Sequence, residues 1–354
     1  MNITIGRKDG DPLSFVANPD EKVLHAALRS GLTVPYECAT GTCGSCRAKL
    51  VSGELDDGWA DAPGKKALKV ARGEFLMCQC VAQSGCTIRI PSPVTQQDPE
   101  ASVPDHFNGS ISEFKQLTSD VMSFSVSLPE EVGFHAGQFM ALQLPGVEGT
   151  RAYSMVNYST QTAKLEFVIK RFKGGKCSEW LFDSPEENSR VTLFGPLGHA
   201  IFEPQLGHDL LLLAGGSGIA GMMAILEQAD QTGYLQTHKI ELIFGVRTAE
   251  DIFYLSELRR MAVAHTENLL LTIALSDAEN DRDTPGLPEA LSDLPRNLKI
   301  AKGGFVHEHI DETRTTDNTM AFIAGPPPMV DGSVGVLITD CEFEVDRIRY
   351  DKFA

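Results

Sequence analysis

The chain has 354 residues, 31 Lys plus Arg against 48 Asp plus Glu, and 42% apolar residues. That composition can bury real cores and is not that of a disordered tail. A formal charge of -17 argues against a nucleic-acid binder or a basic membrane-surface protein, because both need a positive field. Two or three domains are expected at this length.

The N-terminal stretch MNITIGRKDGDPLSF carries charges where the apolar region of a secretory signal would lie, so a cytoplasmic address is expected. Short alternating segments (residues 3–5, 13–16 and 86–90) flank one helix beginning NPDEKVLHAALRSG. Asn18 is its expected cap, Pro19 suits the first turn, Glu21 completes a capping box and Gly31 ends it. An α+β domain over residues 1–92 follows, with Val23, Leu24, Ala27 and Leu28 packing onto a small sheet.

Within it, Cys38, Cys43 and Cys46 stand in a C-x4-C-x2-C spacing, and Cys78 follows after 31 intervening residues. This matches plant-type two-iron ferredoxin ligation. Four thiolates must converge on a compact cluster from a tight loop, so Gly41 and Gly44 are expected to supply unusual backbone angles and leave amides facing the sulfurs. Zinc sites favour paired C-x2-C knuckles or Cys/His mixtures, and a large protein in a reducing compartment is a poor place for a disulfide framework. Spacing leaves the fourth ligand open between Cys78 and Cys80, which sit two residues apart. Cys80, Cys86, Cys177 and Cys341 otherwise read as small buried apolar residues.

Residues 93–105 are expected to be a linker: prolines recur, apolar residues thin out and no period survives. Charge partitions nearby, with 11 basic and 10 acidic side chains in residues 1–95 and 20 and 38 in the remainder. A nearly neutral first domain makes purely electrostatic docking to a partner an unsuitable mechanism.

Residues 106–205 show short strands separated by turn residues (VMSFSVSL, QFMALQL, AKLEFVIKRF), which predicts an antiparallel barrel. Its motif TRAYSMVN invites a flavin reading. Arg151 can neutralise a pyrophosphate, Tyr153 can lie along an isoalloxazine, and Ser154 can hydrogen-bond near its N5. Alone, the four letters fit a strand-end Arg with a half-buried Tyr equally well. The later KGGKCSEWL puts Gly174, Gly175 and Ser178 at the start of a helix, a natural anion site for a dinucleotide pyrophosphate, which favours FAD over FMN. Lys170 is either a further phosphate ligand or a solvated strand end.

From residue 206 to 354, apolar strands (210–214, 240–244, 269–274 and 320–324) alternate with helical stretches, predicting a parallel α/β sheet. The apolar run from Leu210 to Leu226 approaches the length of a membrane span, but its internal Gly-Gly-Ser-Gly reads as strand, turn and helix, so no stable membrane insertion is expected. Gly215, Gly216, Ser217 and Gly218 form the turn, and Gly325 in AGPPPM closes another buried strand. Both suit backbone approach to a nucleotide at the carboxyl edge of the sheet. His307 and His309, in GGFVHEHI, could suggest zinc, although alternation in a strand or edge loop explains them better.

Over its whole length the chain resembles the reductase components of multicomponent bacterial oxygenases, in which a plant-type ferredoxin is fused to a ferredoxin-NADP reductase-like module. The toluene and xylene monooxygenase type is nearest, a likeness that the segment WADAPG shares. The resemblance implies that NADH reduces FAD, which feeds a [2Fe-2S] cluster and then an oxygenase hydroxylase component or a small Rieske-type ferredoxin. It selects Cys78 as the fourth ligand and carries Arg151, Tyr153, Ser154, Gly175 and Ser178 over as FAD residues. The ending RYDKFA makes Phe353 a candidate to cover the flavin ring. Plant-type clusters lie near about -400 mV, and the amides of this loop are expected to raise that value.

Two departures stand out: Gly221 replaces a usual proline, and Ala324 replaces a cysteine before Gly-Pro-Pro. They are expected to slow hydride transfer without abolishing it. An Ala324→Cys variant reducing its flavin no faster than the parent removes the basis for that expectation. Glu250 and Asp251 lie beyond the second strand, where a carboxylate binds a ribose 2'-hydroxyl and repels a 2'-phosphate, so NADH is preferred, with Arg247 pulling the other way. Two rival readings are a deoxysugar dehydrase as acceptor, and a redox-sensing protein that keeps the fold without turnover.

Overall fold

The computed structural model describes residues 1–7, 10–98, 102–277, 291, 293–311 and 318–352. Phe353 lies outside the described residues. The chain forms two compact units, and the division runs through the barrel sequence: one holds residues 1–108, 140–152 and 191–197, the other residues 109–139, 153–190 and 198–354.

In the first unit a five-stranded sheet runs in the order Leu13–Val16, Asn2–Ile5, Cys86–Arg89, Arg47–Ser52, Glu74–Leu76. Asn2–Ile5 pairs in parallel with Cys86–Arg89 and the other pairs are antiparallel. Helix α1 (Val23–Arg29) buries Val23, Leu24, Ala27 and Leu28, as the apolar spacing requires.

The helix starts later than its sequence signals suggest. Asp20 has φ of 60°, which keeps residues before Val23 out of the helix, and Lys22 is the cap without a side-chain bond. Half of the capping box survives as a turn, with the Asn18 amide donating to Glu21 Oε2 at 2.8 Å. The same carboxylate accepts Arg29 Nε at 2.8 Å and lies 3.1 Å from His106 Nε2. Burial pushes Glu21 up, yet the bonds from Arg29, His106 and Asn18 outweigh it and hold the carboxyl far below the usual range.

Beside this network His25 stacks on Phe194, with ring centroids 3.8 Å apart and planes 6° apart, and its Nε2 is buried without a partner. Burial, then the charges of Lys22 and His106, push its pKa well below the ordinary histidine value. Folded His25 is therefore neutral, while the unfolded chain binds a proton there below about pH 6.5. Stability is expected to fall as pH drops through that point, whereas Glu21 takes effect only below about pH 4.5, where its unfolded carboxylate protonates. Unfolding of His25→Leu at pH 7, 6 and 5 should show a shallower loss, by up to about one proton's worth of slope. Parallel curves for the parent and the variant would contradict the assignment.

The expected linker is partly structured: Thr95–Gln96 pairs with Leu32–Thr33, and the Gln97 amide donates to the Gly31 carbonyl at 2.7 Å. Asp105 begins the first long barrel strand. In the second unit Asp105–Gln116 pairs with Val121–Val132, which pairs in turn with Thr162–Lys170, both antiparallel.

The nucleotide-type sheet has six strands in the order Leu298–Lys302, Leu269–Leu275, Ile240–Val246, Asp209–Gly215, Thr319–Gly325, Ile348–Lys352, all parallel. Helices cover both faces, which is why its central strands read as continuous apolar runs. Leu210, Leu212 and Ala214 pack on α3 (Ile219–Gln231) and α4 (Leu255–Ala264). Leu211 and Leu213 pack on the opposite side, with Val330 and Leu337 of α5 (Pro327–Thr339). Each such leucine contributes about 2 kcal/mol of burial, fixing the strand ends that carry the glycine turns. The stretch from Leu210 to Leu226 is thus strand, turn and helix, and among the described residues no helix is long and apolar enough to cross a membrane.

Candidate functional site

The cysteine loop is held by backbone that few side chains tolerate: φ is 55° at Ala39, 91° at Gly41 and 86° at Gly44. This turns N–H groups onto sulfur. The amides of Thr40 and Cys43 each lie 3.4 Å from Cys38 Sγ, the Ser45 amide lies 3.4 Å from Cys43 Sγ, and Gln79 Nε2 lies 3.4 Å from Cys78 Sγ. The thiols fall into two pairs. A hydrogen bond from Cys43 pulls Cys38 down to about 4, and one from Cys46 lowers Cys78.

Among the described residues no three His, Cys, Asp or Glu side chains converge on a single ion. Two thiol pairs with N–H groups aimed at their sulfurs are instead what a two-iron cluster requires. Cys80 faces elsewhere: burial and the Asp57 carboxylate push it up to about 12, and its Sγ lies 3.8 Å from Asp57 Oδ1. Trp59, in the loop after the strand Leu55–Asp57, lies under the Arg151 guanidinium at 5.9 Å. In the sequence only its place as a lone aromatic in a polar loop marks that tryptophan.

Arg151 also donates to the Thr150 carbonyl at 2.9 Å, while Thr150 Oγ1 is buried without a partner. Ser154 is buried, and the Tyr153 hydroxyl lies 3.0 Å from Cys177 Sγ. Ser178 does not present its hydroxyl as expected. Its Oγ accepts from the Phe172 amide and lies 3.0 Å from the carbonyls of Phe172 and Gly175, so it closes the glycine loop on itself. The Gly174 amide donates to Glu179 Oε1 at 2.8 Å, putting a carboxylate at the helix start where an anion was expected. A phosphate there replaces that carboxylate or uses other amides of α2 (Lys176–Asp183).

At the other turn Gly216 has φ of 53°, and a Cβ on Gly218 would overlap the Ala324 carbonyl and lie 2.8 Å from the Gly325 amide. The two glycine segments therefore meet at one sheet edge, as sequence expected. Gly221 faces Gly137 and the Ser154 side chain with room for a methyl group, at 3.6 to 3.9 Å. Asp251 is not free for a ribose: its Oδ2 accepts the Thr248 amide at 3.1 Å and hydroxyl at 3.0 Å, and its Oδ1 accepts Arg247 at 3.1 Å. Glu250 is the exposed carboxylate of the pair. Lys170 pairs with Asp120 at 3.0 Å. His307 and His309 lie in a 3-10 turn, not a strand, with His307 stacked on Phe305 and His309 Nε2 2.9 Å from the Gly303 carbonyl.

Comparison with known proteins identifies the three domains. Residues 7–83 match the 2Fe-2S iron-sulfur cluster binding domain, 108–202 the oxidoreductase FAD-binding domain, and 212–334 the oxidoreductase NAD-binding domain. The chain is 32% identical over 341 residues to a ferredoxin--NAD(P)(+) reductase, CarAd, of Metapseudomonas resinovorans, covering 94% of each. It belongs to the iron-sulfur flavoprotein reductases of oxygenase systems.

Another relative of this reductase is the ferredoxin--NAD(+) reductase component of the alkene monooxygenase system of Xanthobacter autotrophicus, 31% identical with 97% and 98% coverage. Among solved structures, the ferredoxin reductase in carbazole 1,9a-dioxygenase superposes with a TM-score of 0.78 at 28% identity, covering 100% of this chain and 99% of the other. The reductase is accordingly an NAD(P)H-dependent oxidoreductase built to carry a [2Fe-2S] cluster, FAD and a nicotinamide nucleotide.

Proposed function

We propose that this reductase takes electrons from NADH and delivers them to the hydroxylase component, or to a small Rieske-type ferredoxin, of an oxygenase acting on an aromatic or other hydrocarbon. It does so in the cytoplasm, where reduced nicotinamide is made. The observation that carries the reading is the set of N–H groups turned onto the sulfurs, those of Thr40 and Cys43 on Cys38, of Ser45 on Cys43 and of the Gln79 side chain on Cys78. Relatives named as components of monooxygenase and dioxygenase systems favour an oxygenase acceptor, which leaves a deoxysugar dehydrase or a turnover-free sensor without support.

Residues divide the work. Cys38, Cys43, Cys46 and Cys78 hold the cluster, and their N–H donors stabilise its sulfur charge. Arg151 would offset pyrophosphate charge, Tyr153, oriented by its contact with Cys177, would help hold the flavin, and Ser154 would hydrogen-bond it. Gly174, Gly175 and the start of α2 supply backbone N–H groups, and Ser178 keeps that loop closed. When bound, the flavin converts a two-electron donor into single electrons for the cluster. Gly215, Gly216, Ser217, Gly218 and Gly325 let the nucleotide approach the strand ends, and Glu250 receives the ribose hydroxyls.

The test is an anaerobic visible spectrum of the holoprotein before and after NADH, followed by a candidate hydroxylase or Rieske ferredoxin. Flavin and iron-sulfur bands that bleach with NADH and recover when the acceptor is added support the proposal. Bands that stay unchanged on addition of NADH overturn it.

A further inference from the structure

Three charged side chains along the nucleotide edge form a row that the proposed function does not use. Lys170, at the end of Thr162–Lys170, runs over the glycine turn: its Cδ lies 3.9 Å from where a Cβ on Gly216 would stand. Arg247 follows Ile240–Val246, the strand hydrogen-bonded to the one that ends in that turn. Asp120 lies between them, and its Oδ2 is 3.0 Å from Lys170 Nζ and 3.2 Å from Arg247 Nη2. The Thr118 hydroxyl, 3.2 Å from Oδ1, orients this carboxylate.

We infer that Asp120 sets the choice between the two nicotinamide nucleotides, by holding Arg247 and Lys170 in ion pairs that deny a 2'-phosphate its cations. The inference rests on the reading that the nucleotide lies along the glycine turn and the end of the second strand. An arginine at that strand end is the group that accommodates a 2'-phosphate, while a carboxylate there accepts the hydroxyls of an unphosphorylated ribose.

In this chain the arginine is present but engaged. Asp251 holds its Nη2 at 3.1 Å on one side and Asp120 on the other, and Asp277 adds a third negative charge in electrostatic reach. Three carboxylates against two cations leave the surroundings of Arg247 net negative. A doubly charged 2'-phosphate must therefore both approach that field and break a guanidinium out of existing pairs. A ribose 2'-hydroxyl does neither.

Asp120 is a positioning residue, because it acts through Arg247 and Lys170. Substitution by asparagine keeps the size and removes the charge. With ferricyanide as acceptor, Asp120→Asn should raise the ratio of kcat/KM for NADPH to that for NADH by about tenfold, through a lower KM for NADPH, with NADH turnover within about twofold of the parent. Asp120→Glu should keep the parental ratio. If the loss of Asp120 merely loosens the barrel, both nucleotides weaken together and the ratio stays fixed, which overturns the inference and leaves the reductase reading intact. A parent holoenzyme that oxidises neither nucleotide sinks both.

Should the asparagine variant fail to fold, the parent supplies a second test. Raising salt from about 0.02 M to about 0.5 M screens the field, so the ratio of the NADPH KM to the NADH KM should fall severalfold. A salt-independent ratio contradicts the inference.

Discussion

Replacing Cys78 by serine is expected to remove the iron-sulfur absorption and lower transfer to a one-electron protein acceptor roughly 100-fold or more, while NADH-ferricyanide activity, which needs only flavin, persists. Cys78 is fully buried beside Cys46, and the Gln79 amide is directed at its sulfur. A serine oxygen is a harder and poorer ligand for cluster iron than the thiolate it replaces. The paired control is Cys80→Ser. That thiol is pushed up to about 12 and faces Asp57, so the variant should keep its cluster and its rate. Loss of the cluster in Cys80→Ser with retention in Cys78→Ser would reverse the ligand assignment. The measurement is iron content with the visible spectrum, followed by turnover with each acceptor.

The sequence made some of this architecture readable because the chemistry leaves few alternatives. A C-x4-C-x2-C loop with Gly41 and Gly44 needs positive φ, and the structure has it at both glycines. The strands from Leu210, Ile240, Leu269 and Met320 were legible because both faces of a covered parallel sheet must be apolar.

What misled were polar residues with two possible customers. Ser178 and Asp251 stand at helix-start positions, where the same side chain can serve a ligand or its own backbone, and in both cases the backbone holds it. Glu21 looked like half of a local capping box, yet Arg29, eight residues on, and His106, from the far side of the linker, claim its oxygens. No local pattern contains those partners. Arg247 was visible as a cation opposing an NADH preference, but Asp120, which offsets it, lies 127 residues away in sequence.

Gly218→Ala is the second large effect expected. The glycine turn and the Thr319–Gly325 strand approach so closely that an added methyl group would overlap the Ala324 carbonyl and lie 2.8 Å from the Gly325 amide. That strand cannot retreat, since it is hydrogen-bonded to Asp209–Gly215 on one side and Ile348–Lys352 on the other. The turn must move instead, at a cost of roughly 3 kcal/mol from overpacking. If the nucleotide sits on this turn as proposed, its displacement withdraws backbone N–H groups from it, so the KM for NADH should rise about 100-fold with a lower unfolding temperature. Gly216→Ala makes the contrast. There the nearest atom is Lys170 Cδ at 3.9 Å and the burden is only the φ of 53°, worth about 1 kcal/mol. The comparison of NADH KM and thermal unfolding across the two variants separates close approach from backbone angle. Equal, mild effects in both would mean that the strand edge yields, and that the two glycine segments do not form one rigid nucleotide seat.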